Sequence, residues 1–106
     1  MMNLLEETMY KLKQYNKTSS DVLWIGTNKK YTTWEQFAQI ANLQYNDGYG
    51  GPEIYMDLKI VGSDWWLERY EYDGAERWVF KTYPTKPDIF GLSARDILTR
   101  YEYEDD

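Results

Sequence analysis

Two runs that alternate apolar and charged residues, Trp65 to Tyr72 and Glu76 to Tyr83, flank Asp73-Gly74. Alternation at period two is the mark of a half-buried strand, and Asp-Gly accepts the positive φ angles of a tight turn. This is the strongest hairpin signal in the chain. It predicts that Trp65 and Leu67 share one face while Trp66, Glu68, Tyr70 and Tyr72 share the other. A two-residue loop sets Glu71 opposite Glu76, and like charges so placed repel. A longer loop with a bulge relieves that, so the sequence leaves the register open.

The rest of the chain arranges itself around this hairpin. Leu4, Leu5, Thr8, Met9, Leu12 and Tyr15 form one stripe at helical period, predicting a helix over 3–16 with Asn3 as N-cap. Val22 to Ile25 suits a short strand, and Tyr31 extends a second. Thr32 with Glu35 fits a capping box for a helix whose face is Trp34, Phe37, Ala38 and Ala41. Asn46 to Pro52 holds three glycines and a proline and reads as a loop. Glu53 to Val61 alternates and predicts a strand with Ile54, Met56, Leu58 and Ile60 on one side. Ser93 with Asp96 caps a last helix bearing Ala94, Ile97, Leu98 and Tyr101. The order is α+β: a three-strand meander plus a short N-terminal strand in a small antiparallel sheet, packed by two or three helices. Residues 1–106 read as a single domain, with the acidic end 102–106 expected to fray. At 106 residues one core is feasible without staples.

Composition narrows the chemistry. The chain has no Cys and no His, which removes disulfides, thiolate and imidazole metal sites, and Ser-His or Cys-His catalysis. The glycine-rich loop is not a phosphate loop, because no Lys-Ser/Thr follows and the next element is a strand. Asp47, Asp64 and Asp73 lack calcium-loop spacing. Paired carboxylates on the hairpin resemble a glycosidase only superficially, since a hairpin offers little cleft to exclude water. No enzyme and no cofactor are expected. The first fifteen residues lack the apolar run of a secretory signal, and no stretch nears the ~20 apolar residues of a membrane span. The expectation is a cytoplasmic, soluble protein.

What remains is binding. Eighteen acids against twelve bases give a formal charge of −6, which opposes direct nucleic-acid binding and suits a partner with a basic surface. Of five Trp and eleven Tyr, some must form the core of so small a domain, and both residue types are also favoured at interfaces; composition does not separate the two uses. The candidate partner-binding set is Trp66, Glu68, Tyr70, Glu71, Tyr72, Asp73 and Glu76. The aromatic rings would anchor, and the acids would meet Arg and Lys in the manner of DNA phosphates. An aromatic face binding carbohydrate or a small ligand is the alternative.

The block Ile60-Val61-Gly62-Ser63-Asp64-Trp65-Trp66-Leu67-Glu68-Arg69-Tyr70-Glu71-Tyr72-Asp73-Gly74, with Trp78 and Phe80, resembles one in small proteins of Firmicute phages and prophages. Thr33 to Phe37 and Asp47 to Gly51 fit the same pattern, and the resemblance spans about residues 20–85. It carries no catalytic residues. Small acidic phage proteins of this type include inhibitors of host defence nucleases, among them Cas9-directed anti-CRISPRs. The resemblance therefore implies a phage-encoded inhibitor of a CRISPR effector nuclease acting in the bacterial host.

Overall fold

The computed structural model describes residues 1–48 and 50–101. Strand β1 (Met2–Asn3) leads into helix α1 (Leu4–Gln14). Strands β2 (Trp24–Gly26) and β3 (Tyr31–Thr32) precede helix α2 (Trp34–Ile40), and strand β4 (Gln44–Tyr45) follows it. Then come β5 (Lys59–Val61), β6 (Trp65–Tyr72), β7 (Ala75–Thr82) and a short helix α3 (Ala94–Ile97). Five strands make one antiparallel sheet in the order β3-β2-β5-β6-β7, and β1 pairs with β4 in a small second sheet. The α+β class and the meander are as the periodicity predicts; the β1–β4 pair is not foreseen, being too short to show a period.

Helix α1 starts where Asn3 accepts a hydrogen bond from the Glu6 amide at 3.0 Å. The amides of Leu4 and Leu5, unpaired within the helix, donate to Leu43 and Ala41 carbonyls at 3.1 and 3.0 Å. The positive end of α1 thus sits on the chain leaving α2, and one helix end satisfies the other. Helix α2 is capped by Thr33, whose hydroxyl accepts from the Gln36 amide, one residue later than the Thr32–Glu35 box predicts. Thr32 is held in β3 opposite Ile25.

Both helices lie on one side of the large sheet. The core there contains Leu4, Leu12, Ile25, Phe37, Ala41, Ile60, Trp65, Leu67 and Trp78, each buried. Trp78 is 1 % exposed and donates from Nε1 to the Thr8 hydroxyl at 2.8 Å, which donates in turn to the Leu4 carbonyl at 2.7 Å. One end of the core is closed by stacked rings: Tyr15 on Phe80 at 4.1 Å, and Phe80 on Trp65 at 5.7 Å.

Two expectations fail. The predicted strand over 53–61 shrinks to Lys59–Val61. Its first part is tied down by side chains instead of a ladder: the Glu53 and Ile54 amides donate to Glu76, and Leu58 turns back onto the Tyr55 carbonyl. Only three of its residues pair, with β2 on one side and with Trp66 to Glu68 of β6 on the other. Met56 is accordingly exposed, not core. The last helix forms with the Ser93–Asp96 box as predicted, but its apolar face does not pack on the sheet, and Ile97 is exposed. The predicted frayed end, 102–106, lies outside the described residues.

Candidate binding face of the sheet

The hairpin closes through a two-residue loop. Tyr72 faces Ala75, Glu71 faces Glu76, and Asp73 and Gly74 take φ of 53° and 88°. Both angles positive is the turn whose twist matches paired strands, and Asp and Gly are the residues that tolerate it. The opposition of Glu71 and Glu76 is relieved by giving each carboxylate its own partners. Glu71 reaches round the turn and accepts from the Gly74 amide at 2.8 Å. Glu76 is turned inward, 3 % exposed, and pairs with Arg69 at 2.9 Å while accepting from the Glu53 amide at 2.7 Å.

Arg69 is the centre of this buried cluster. It shares the inward face with Leu67, and its guanidinium donates to the Tyr45 hydroxyl at 3.0 Å and pairs with Glu7 at 3.4 Å. The ring of Trp78 lies 4.7 Å beneath it. The Tyr45 hydroxyl donates to Glu7. Burial, helped by that bond to Glu7, pushes the Tyr45 phenol above its ordinary pKa, against the pull of Arg69. Burial works against the Arg69 cation, but Tyr45 and Glu7 outweigh it and its pKa rises. Together these side chains join α1, β4, the loop after β4 and the hairpin. The cluster acts as a clamp between these elements, its Arg69 and Glu76 side chains fully buried. Sequence reasoning missed it because its members are spread from residue 7 to residue 76; the one local sign is Arg69 at an inward position.

The other sheet face has neither α1 nor α2 on it. Register places Trp24, Val61, Trp66 and Lys81 in one row across β2, β5, β6 and β7. The next row is Tyr31, Gly26, Lys59, Glu68 and Val79, followed by Tyr70 beside Arg77 and then Tyr72 beside Ala75. Tyr31 and Tyr72 are 77 % and 70 % exposed, with Tyr70 and Trp24 near 40 %, at 41 % and 38 %. Trp66 is half-buried; its Nε1 donates to Glu68 at 2.7 Å, and its ring tilts against Tyr83 at 5.2 Å. Arg77 covers the ring of Tyr70 at 4.7 Å. A groove of about 550 Å³, lined by Leu23, Trp24, Lys29, Lys30 and Tyr31 among others, continues the face past the β2–β3 edge.

The candidate residues therefore divide. Trp66, Glu68, Tyr70 and Tyr72 lie together on the open face, and Asp73 is exposed at its tip. Glu71 and Glu76 lie on the other side. Glu76 is corrected outright: a buried, paired carboxylate cannot meet a partner's cation. The acidic row that would imitate DNA is not assembled, because alternate strand positions send those acids to opposite faces. Lys59, Arg77 and Lys81 outnumber Glu68 on the open face, so the −6 charge of the chain resides elsewhere. Trp24 and Tyr31 were not anticipated as members; only the register puts them on the same face as Trp66.

Among the described residues no group of three or more acids could hold a metal ion, and no helix is long and apolar enough to cross a membrane. A scan against protein-family models gives no match, and searches of the curated proteins and of the solved structures give none either.

Proposed function

We propose that this protein works by binding a protein partner through the open sheet face, without catalysis. The observation that carries the reading is the exposure of Trp24 and Tyr31 on β2 and β3 and of Tyr70 and Tyr72 on β6, all on the uncovered sheet face that also holds Trp66. Exposed rings on a rigid scaffold are the usual material of interface anchors, because they bury large area at little entropic cost. The hydrophobic core and the Arg69 clamp hold the hairpin from behind, so the rings are presented preorganised.

The partner class is a host defence nuclease of the CRISPR–Cas9 type, and the protein is a phage-encoded inhibitor acting in the bacterial cytoplasm. The resemblance of residues 60–74 to small phage proteins supports that class. Inhibition on this account is steric: Trp66, Tyr70 and Tyr72 anchor, Glu68 and Asp73 supply the acids within reach, and phosphate mimicry by the hairpin is abandoned. A carbohydrate platform has less to stand on, since Arg77 already covers the Tyr70 ring.

The test is DNA cleavage by a panel of guide-loaded Cas9-type nucleases with and without the protein. Dose-dependent loss of cleavage, relieved in the Tyr70→Ser/Tyr72→Ser variant, is the expected result. No effect on any nuclease would overturn the partner class. Inhibition that survives the double substitution would overturn the face.

A further inference from the structure

The chain beyond β7 is unlike the rest. Every described residue from Lys81 to Arg100 whose burial is defined is exposed, yet the stretch is not polar. Ile89 is 88 % exposed, Phe90 102 %, Leu92 79 % and Ile97 65 %. The radius of gyration is 18.3 Å, and the molecule extends 57 Å along its longest axis against 32 and 27 Å. A compact chain of this length has a radius near ~13 Å. The excess is an arm. It leaves from Tyr83, which rests on Trp66, and passes through Pro84 and Pro87. Proline fixes φ and favours an extended, stiff spacer, which carries the apolar stretch away from its own body at about 3 Å per residue.

An apolar groove lies open on the helical side. Leu5, Met9, Tyr10, Leu12, Trp34 and Ala38 line it between α1 and α2, with Lys13 and Lys17 at its rim and a volume of about 570 Å³. Met9 and Tyr10 are more than half exposed.

We infer that two copies of this chain exchange arms, the Ile89-Phe90-Gly91-Leu92 segment of each seating in the α1–α2 groove of the other. Three observations select a second copy. Arm and groove are on one chain, so a two-fold axis satisfies both at once. The area suffices: each arm removes on the order of 300–450 Å² of apolar side chain from water, from two aliphatic side chains and one ring. Reciprocal exchange doubles that and adds the groove walls, which passes the ~1,200 Å² where stable interfaces begin. The charges are complementary, because Asp88 directly precedes the apolar segment and Lys13 and Lys17 stand at the rim of the groove. The inference does not rest on the open sheet face as a docking surface.

Sedimentation velocity over a range of concentrations tests it. The unaltered chain is expected to sediment as a dimer that dissociates on dilution. Phe90→Asp/Leu92→Asp changes only exposed arm residues, and Met9→Glu/Lys13→Glu changes only exposed positions of the groove. Each variant alone is expected to be a monomer with unchanged circular dichroism. Mixed together at high concentration, they should associate more than either alone but more weakly than the unaltered chain, because one intact arm meets one intact groove and half of the exchanged surface is buried. A monomer at every concentration for the unaltered chain would overturn the exchange. So would a dimer indifferent to the arm substitutions, or a mixture that at the highest concentration associates no more than either variant alone.

Discussion

Replacing Arg69 by Met should cost about 3–5 kcal/mol of stability, although the two side chains are similar in length. The magnitude follows from what is left behind. Arg69 and Glu76 have side chains with no exposure to solvent, and Glu7 is only 11 % exposed. Removing the guanidinium strands a buried carboxylate at Glu76, supported only by the Glu53 and Ile54 amides at 2.7 and 3.3 Å. It also leaves the Tyr45 hydroxyl with Glu7 alone. Breaking one half of a buried pair is expensive for that reason, whereas removing both halves is far less so. The double variant Arg69→Met/Glu76→Gln, whose neutral amide still accepts from the loop amides, should recover more than half of the loss. Urea unfolding at neutral pH measures this, with the slope checked for two-state behaviour. In thermal unfolding the single variant should melt about 12–20 °C lower. A single-variant loss below ~1 kcal/mol, the value of a surface pair, would refute the clamp. Additivity of the two substitutions would refute it equally, since groups in one network must couple.

Other consequences are as direct. Tyr45 has a raised folded-state pKa, so its contribution is complete below the unfolded value near ~10 and is lost as pH rises beyond it; Tyr45→Phe should flatten that alkaline decline in urea midpoint. Thr8→Val leaves the buried Trp78 indole donor without its acceptor, and should cost about 1–3 kcal/mol by chemical denaturation. Gly62→Ala would set a methyl 2.1 Å from the Trp65 ring, which the core holds fixed, and a similar loss of about 1–3 kcal/mol is expected from overpacking.

The sequence was most legible where one segment carries its own answer. The alternation of Trp65 to Tyr72 assigns each side chain to its observed face, and Asp73-Gly74 names the turn. Asn3 and Ser93 cap the helices the periodicity draws. Failures came where distant partners decide. Register looked open because Glu71 and Glu76 repel; Glu53, Ile54 and Arg69 supply the compensation, and only the fold gathers them. Glu53 to Leu58 alternates like a strand, but the Glu76 carboxylate takes the Glu53 and Ile54 amides and Leu58 closes a turn on Tyr55. Glu76 looked like a surface acid because its immediate surroundings are polar, while its burial depends on the loop after β4. The open face itself could not be read, since nothing local says which side of a sheet the helices will take.

The account stands or falls on the open face as a docking surface. The most direct measurement is the affinity for a guide-loaded Cas9-type nuclease, by titration calorimetry, of the unaltered chain and of Tyr70→Ser/Tyr72→Ser. The two exposed rings are not part of the core, so unfolding midpoints should agree closely. Affinity should fall by roughly thirtyfold or more, as for the loss of interface anchors worth about 2 kcal/mol. Equal affinity in a folded double variant would contradict the claim.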